Sequence, residues 1–459
     1  MYRSAQDRRD LGRTARSSFP RSALADLPSA AGRADPVALL QSQAATRIAD
    51  LIPIRYGRML ATPLAFFRGA ALIMASDLAV GAHTGLTTQL CGDAHLSNFG
   101  LFASAERNLV FDINDFDETL PGPWEWDVKR LVASLAVTAR VNGFQSVDTA
   151  NIVRACAAAY RGRMQELAEM RELDVWYAHT VVDAALEDTV DPEYAASIRL
   201  TAAKARSRDS LQAASKLTEV VDGRRRLVSS PPLLVPIEEL VGADEAHRYE
   251  QQMDTLMEGY RASLETERRC LVNRFRYAAM ARKVVGVGSV GLRSWVVMML
   301  GRDGDDPSLM QVKEAQPSVL ERFLGASEYP NAAQRVSVGQ RLMQASSDIL
   351  LGWLHAVGPD GHEADYYVRQ LRDWKGSVPI QSSDPKLLAD YGRSCGHALA
   401  RAHARTGDRI AIAAYLGHGD TADAAFVRFA ESYADQNDRD YAAFKEAAAG
   451  GQIRAESDL

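Results

Sequence analysis

The sequence predicts an α+β, helix-rich protein, and two patterns carry that expectation. Segments with apolar residues at helical spacing, many of them rich in alanine, fill most of the chain between residues 36 and 447. Compact blocks of strand pattern interrupt them near 86–113 and 284–316, each broken by turn residues. The composition is that of an ordinary globular protein, 47% apolar and 24% charged over 459 residues, enough to bury one large core or a few smaller ones.

Taken in order, residues 1–35 are rich in Arg, Ser, Ala and Asp without an apolar centre. They read as a disordered tail and not as a signal peptide, and Asp7, Asp10 and Asp26 weigh against a transit peptide. From Asp35 to Ala75 the pattern is helical, interrupted by Pro53 and Pro63. Leu86–Leu90 and Leu109–Ile113 read as short strands around the polar loop Gly92–Asn98. A helix then runs from about Trp124 to Arg140, with Val128, Leu131, Val132 and Leu135 on one face. Alanine-rich helices cover 145–220. A hairpin around Asp222-Gly223 lies within Lys216–Ile237, before a helical stretch over 243–270. After the strand block at 284–316, a helix spans Ala332–Ile349, a strand Tyr366–Leu371, and helices 385–405 and 421–447 finish the chain.

Net charge is −6, which offers no broad basic surface to nucleic acid or anionic membrane. The longest apolar run, Trp295–Leu300, is far too short to span a bilayer. Cys91, Cys156, Cys270 and Cys395 have neither zinc-ligand spacing nor a disulfide framework, so a reducing, cytoplasmic setting is expected. His355, His362, His397, His403 and His418 form no H-x-H or H-E-x-x-H pattern.

Chemistry is concentrated in two places. The first is Gly92-Asp93-Ala94-His95-Leu96-Ser97-Asn98, followed by Asp112-Ile113-Asn114-Asp115-Phe116-Asp117-Glu118. Phosphoryl transfer needs a carboxylate to take the acceptor's hydroxyl proton, and an amide oxygen with a second carboxylate to hold magnesium against phosphates. Adjacent loops after two short strands supply those groups, although Asp and Asn also cap turns for purely structural reasons. The second is Gly286-Val287-Gly288-Ser289-Val290-Gly291. It leads into a strand, a turn over Gly301–Asp306 and a second strand carrying Lys313. A dinucleotide site would require a helix to open at the glycines, so a nicotinamide oxidoreductase is the weakest reading.

The first set resembles the catalytic region of aminoglycoside and choline phosphotransferases within the protein-kinase-like superfamily. The matching residues are Gly92-Asp93-x-His95-x-x-Asn98, Asp115-Phe116-Asp117-Glu118, Gly122-Pro123 and Asp127. Cys91 stands where that family has histidine, and Asp112 competes as a metal ligand. The second set resembles the glycine-rich hairpin of kinases, with Lys313 in the place of the phosphate-pairing lysine. The resemblance implies Asp93 as catalytic base, Asn98 and Asp115 as magnesium ligands, and Gly286, Gly288, Ser289, Gly291 and Lys313 as the ATP-phosphate site. A glutamate partner for Lys313 is not evident: Gln340 and Gln344 stand where one is expected, with Glu321 and Glu328 upstream.

The glycine loop follows the catalytic loop instead of preceding it, and Leu387–Arg405 resembles the helix that normally leads into that loop. Together these imply a circular permutation. The whole chain also resembles a bacterial family catalogued as domain of unknown function 2252. That likeness rests on Phe66-Phe67-Arg68-Gly69, Cys91–His95, Asn98-Phe99-Gly100, Asn114–Asp117 and Gln370–Gly376, with Arg68 and Arg372 as candidate phosphate contacts or ion-pair partners.

The expected organisation is therefore a tail over 1–35, catalytic and metal loops of a large lobe over 36–160, and a helical segment with a hairpin over 161–270. A glycine-loop small lobe over 271–380 and helices completing the large lobe over 381–459 follow. The expected activity is ATP- and magnesium-dependent transfer to a small-molecule or protein acceptor, with no nucleic acid or membrane partner. The rivals are a nucleotide-binding module without transfer activity and a metal-dependent phosphohydrolase using Asp93, His95, Asp112 and Asp115.

Overall fold

Helices outweigh strands, 56% against 16% of the residues, so the chain is α+β and helix-rich as its patterning predicts. The computed structural model describes residues 3–27, 32–187, 192–208, 210–221, 223–284, 286–371, 374–378 and 380–456. Asp222 of the expected hairpin turn, and Arg372 and Asp373, lie outside the described residues. Among the described residues no single helix is long and apolar enough to cross a membrane.

Four short strands come before the long helix Trp124–Val141: β1 (Thr87–Leu90), β2 (Phe99–Ala103), β3 (Leu109–Ile113) and β4 (Leu120–Pro123). Their pairing is nested. β2 pairs antiparallel with β3, Phe99 opposite Ile113, while β1 pairs with β4, Leu90 opposite Leu120. The segments 91–98 and 114–119 are consequently pinned at both ends by paired strands and held side by side. These are the two loops that the sequence singles out.

A hairpin of β5 (Thr218–Val221) and β6 (Arg224–Leu227) comes next. A six-stranded antiparallel sheet follows from β7 (Leu234–Pro236), β8 (Arg276–Lys283), β9 (Ser294–Leu300), β10 (Pro307–Ala315), β11 (Gly352–Val357) and β12 (Glu363–Gln370). Its spatial order is β11-β12-β10-β9-β8-β7. Every residue of β9 is buried, because both faces of the sheet are covered. Trp295, Val297 and Met299 pack with Ala246 and Tyr260 of the helix Ala243–Ala262, whereas Val296 and Met298 pack with Ala213 and Leu227. A strand covered on two sides reads as an unbroken apolar run, which is how Trp295–Leu300 appears in the sequence.

The largest core joins the early helices to the late ones. Trp124, Leu131 and Leu135 share it with Tyr160, Leu399, Phe426 and Phe429. The expected boundary at residue 160 falls inside the continuous helix Ser146–Glu169, which packs along Pro385–Thr406. Pro53 and Pro63 start the helices Ile52–Leu60 and Pro63–Gly69, where a missing N–H costs nothing. Arg33 ties this region to the C-terminal helix Thr421–Ala449, its guanidinium 2.6 Å from both Asp77 and Asp440.

The N-terminal segment corrects the sequence reading. Residues 5–18 form a helix closed by a capping box at Ser4 and Asp7, and it lies on the helix Arg409–Leu416. The reading missed it because the contact face is made by Gly12 and Ala15 instead of large apolar residues. A Cβ at Gly12 would run into the carbonyl of Ala411. Gly12→Val should therefore lower the stability of the whole chain by about 1–3 kcal/mol in urea unfolding, the usual cost of overpacking. Unchanged stability would mean that the segment does not dock.

Candidate functional site

The helix Trp124–Val141 is buried along almost its whole length, yet it carries polar residues at i, i+3 and i+7. Those residues share one face, and that face addresses the loop 91–98. Asp127 accepts the backbone N–H groups of Cys91 (2.8 Å) and Gly92 (3.1 Å). Arg130 donates to the Asp93 carboxylate at 2.9 Å, and Ser134 accepts the N–H of Leu96 at 2.9 Å. Gly92 sits at φ +82°, and a Cβ there would collide with Glu118 O, so only glycine lets this loop approach the other one.

Burial raises the Asp93 carboxyl above its ordinary range, while Arg130 and Arg68 pull it back. His95 lies beside it, Nε2 3.6 Å from Asp93, and burial next to two arginines keeps its ring neutral. The Asn98 Nδ2 donates to Asp93 O at 2.8 Å, which leaves its Oδ1 available to a ligand.

Asn114 N–H donates to Asn98 O at 2.8 Å, so the second loop begins against the end of the first. Burial and the neighbouring Asp117 raise the Asp115 carboxyl, and no ion-pair partner reaches it among the described residues. Asp117 is different. It pairs with Lys313 and accepts from the Tyr367 hydroxyl at 2.8 Å. Against the cost of burial, these hold Asp117 below the ordinary carboxylate range. Lys313 is itself buried in β10, and Asp117 outweighs that burial to keep it charged.

The glycine segment joins β8 to β9 without a helix at the glycines. Gly286 and Gly291 take positive φ, +68° and +90°, as tight turns require. Gly288 lies over the backbone of Arg68. The loop is held from below by Arg58, which donates to Gly286 O at 2.7 Å, and by Ile48 N–H, which donates to Gly291 O at 2.8 Å.

One cavity of about 520 Å³ collects Asp93, His95, Asn98, Asp115 and Asp117 with Gly286, Gly288 and Ser289. A second cavity of about 480 Å³ shares Asn98 and Asp115 with it, and its lining includes Arg208, Lys216, Lys375 and Gly376. Arg68 lines the first cavity. Gly291 and Lys313 lie behind its wall, Gly291 against Arg47 and Lys313 against Asp117.

Other candidates are engaged elsewhere. Asp112 is bound by Arg401 at 2.5 and 2.6 Å in the core, which removes it as a competing ligand. Gln344 donates to Ile113 O and Gln340 to Gln344, so the helix Ala332–Met343 gives Lys313 no acid. His403 is buried between Tyr160 and Asp127. Among the described residues no group of three or more His, Cys, Asp and Glu side chains is arranged to hold a metal. Magnesium usually takes one or two carboxylates and completes its shell with water and phosphate.

The sequence reading passed over Arg130, Arg47 and Arg55. Arg130 had a signal, its place three residues after Asp127 on one helical face. Arg47 and Arg55 also line the first cavity, and only the tertiary fold brings them there.

Residues 47–447 match the family described as "Uncharacterized protein conserved in bacteria (DUF2252)", and the chain belongs to it. No curated protein and no solved structure is matched.

Glu118 provides a pH test of this site. Burial pushes its carboxyl up to about 7, against the Val319 N–H that it accepts at 2.7 Å. A raised carboxyl contributes stability that is complete below its ordinary value and lost as pH rises through about 7. Between about pH 5 and about pH 8, without divalent ions, the wild type should lose up to about 3 kcal/mol relative to Glu118→Gln. Urea unfolding at both pH values measures the difference. A gap that does not change with pH would contradict the buried carboxyl.

Proposed function

We propose that this member of the family is an ATP- and magnesium-dependent phosphotransferase with a kinase-like fold in circularly permuted order, moving a phosphoryl group to a small-molecule or protein acceptor. One observation carries the reading. Asp93, Asn98 and Asp115 come from one end of the sequence and the glycine loop from far downstream, yet they line one cavity. Kinase-like chemistry needs that convergence, because the phosphates lie between glycine loop and metal turn. The late helix Pro385–Thr406 packing on β1 supports the permuted order.

The residues fit the implied group. Asp115 is a partly buried carboxylate without an ion-pair partner among the described residues, and Asn98, which lines the same cavity, has an available amide oxygen. Both oxygens would hold magnesium, which when bound neutralises charge on the phosphates. Asp93 would take the acceptor's proton. Burial raises its carboxyl and so makes it a better proton acceptor, and Arg130 fixes its direction. Neutral His95 packs the loop without adding charge. Two cavities that meet at Asn98 and Asp115 suit a donor and an acceptor meeting there.

A binder without transfer activity is the second reading. The observation favouring it is that Lys313 is taken by Asp117 of the metal turn and by no helical glutamate. The phosphohydrolase reading loses Asp112 to Arg401.

Two measurements separate these readings. ATP with magnesium at about one hundred times its dissociation constant should stabilise the protein by roughly 2.7 kcal/mol, and Asp115→Ala should lose the magnesium-dependent part. No shift with any nucleotide would end the nucleotide reading. Purified protein with γ-labelled ATP and a metabolite extract should transfer label. Asp93→Asn should slow that transfer by about 10² to 10⁴ while ATP affinity changes little. Binding without transfer in the wild type would favour the binder.

A further inference from the structure

The first cavity has a wall that phosphoryl transfer as described above does not use. It carries Arg47, Arg55 from the helix Ile52–Leu60 and Arg68 from the helix Pro63–Gly69. Buried guanidinium groups are ordinarily paired, because an unpaired one loses its hydration without return. Arg33 meets Asp77 and Asp440, Arg130 meets Asp93, and Arg401 meets Asp112 in this way, whereas Arg261 and Arg282 each keep one buried Nε without a partner, singly and outside this cavity.

At this wall the rule fails three times. Arg55 is 0% exposed. Its Nη2 donates to Gln43 Oε1 at 2.8 Å and to Gly69 O at 3.1 Å, but its Nε and Nη1 have no partner. Arg47 donates to Val290 O and has a buried Nε without a partner. The Nε of Arg68 is buried and unpartnered as well. No carboxylate lies within ion-pair distance of any of the three among the described residues.

The acids that share the cavity do not fill this need, since most are already engaged. Asp93 is held by Arg130, Asp117 by Lys313, Glu314 by Arg293 and Glu118 by the backbone of Val319. Burial depresses all three guanidinium groups, Arg47 to about 10, and it outweighs the more distant pull of Glu118 and Glu314 on Arg47 and of Asp93 and Asp115 on Arg68. Three cations with spare N–H donors on one wall suit a multiply charged oxyanion better than a single carboxylate.

We propose that Arg47, Arg55 and Arg68 form an anion subsite, distinct from Lys313, that takes the phosphate group of a phosphate-bearing ligand. The subsite stands on these contacts alone; only the molecule that brings the phosphate depends on the proposed function. Two sources share the chemistry: the polyphosphate of the nucleotide, under the glycine loop that Arg68 underlies, or a phosphate on the acceptor, next to Asp93.

The test uses the full chain and titrates inorganic phosphate and pyrophosphate by calorimetry and thermal shift. Arg68→Gln and Arg47→Gln carry it, since Arg55 is fully buried and its loss endangers folding. Arg154→Gln, which removes an exposed charge from the helix Ser146–Glu169 and does not line the cavity, is the control. Pyrophosphate should bind the wild type and the control, more weakly as salt rises, and each of the two variants should lose about tenfold or more in affinity. Repeating the titration with a saturating non-hydrolysable ATP analogue separates the sources. Competition assigns the subsite to the nucleotide, and binding alongside assigns it to the acceptor. Folded variants that bind pyrophosphate as the wild type does would overturn the subsite, as would a wild type that binds neither anion. If pyrophosphate binding depends on the arginines but ATP never binds, the subsite stands and the phosphotransferase reading falls.

Discussion

The arrangement of the candidate site depends on one buried carboxylate. Asp127 holds the N–H groups of Cys91 and Gly92 from inside a core helix. Two charge-assisted hydrogen bonds to backbone fix the start of the loop that carries Asp93 and Asn98. The same carboxylate lies 3.2 Å from His403 Nε2, and the other ring nitrogen of His403 meets the Tyr160 hydroxyl at 2.8 Å. Early loop, middle helix and late helix are thus joined at one point. Nested pairing of β1 with β4 and β2 with β3 then sets the Asp115 turn beside the loop, and the absence of a side chain at Gly92 lets the two close.

Charge in the site is divided between groups that are satisfied and groups that are not. Lys313, Asp117 and Tyr367 form a closed set that ties the sheet to the Asp115 turn. Asp93 and Arg130 form another. Asp115 and the arginines Arg47, Arg55 and Arg68 line the same cavity and have no ion-pair partner among the described residues. Native interiors rarely tolerate such groups. Their opposite signs across one space fit a ligand that carries both a metal ion and phosphate, and that division of charge underlies both proposals.

Much of this was legible in the sequence because it is local. The loops around Asp93 and Asp115, the helix from Trp124 and the strands on either side of Gly301–Asp306 follow from turn residues and apolar period. What was not legible depends on contacts between distant segments. The helix Ala5–Ser18 docks through small residues that carry no hydrophobic signal. The strands β8 and β11 lack clear alternation because both faces of their sheet are partly covered. The acid for Lys313 was sought on a helix, where a local pattern would show it, and it is Asp117 of the turn after β3. Arg47 and Arg55 look like ordinary turn and helical arginines until the fold sets Arg47 against the glycine loop and brings both to one cavity.

The central claim is that the cavity between the glycine loop and the metal turn is where phosphate chemistry occurs. A crystal structure with magnesium and a non-hydrolysable ATP analogue tests it most directly. The account predicts triphosphate between residues 286–289 and Asp115, with the metal on Asn98 and Asp115 and the terminal phosphate facing Asp93. Nucleotide bound elsewhere, or a metal touching neither Asn98 nor Asp115, would contradict it.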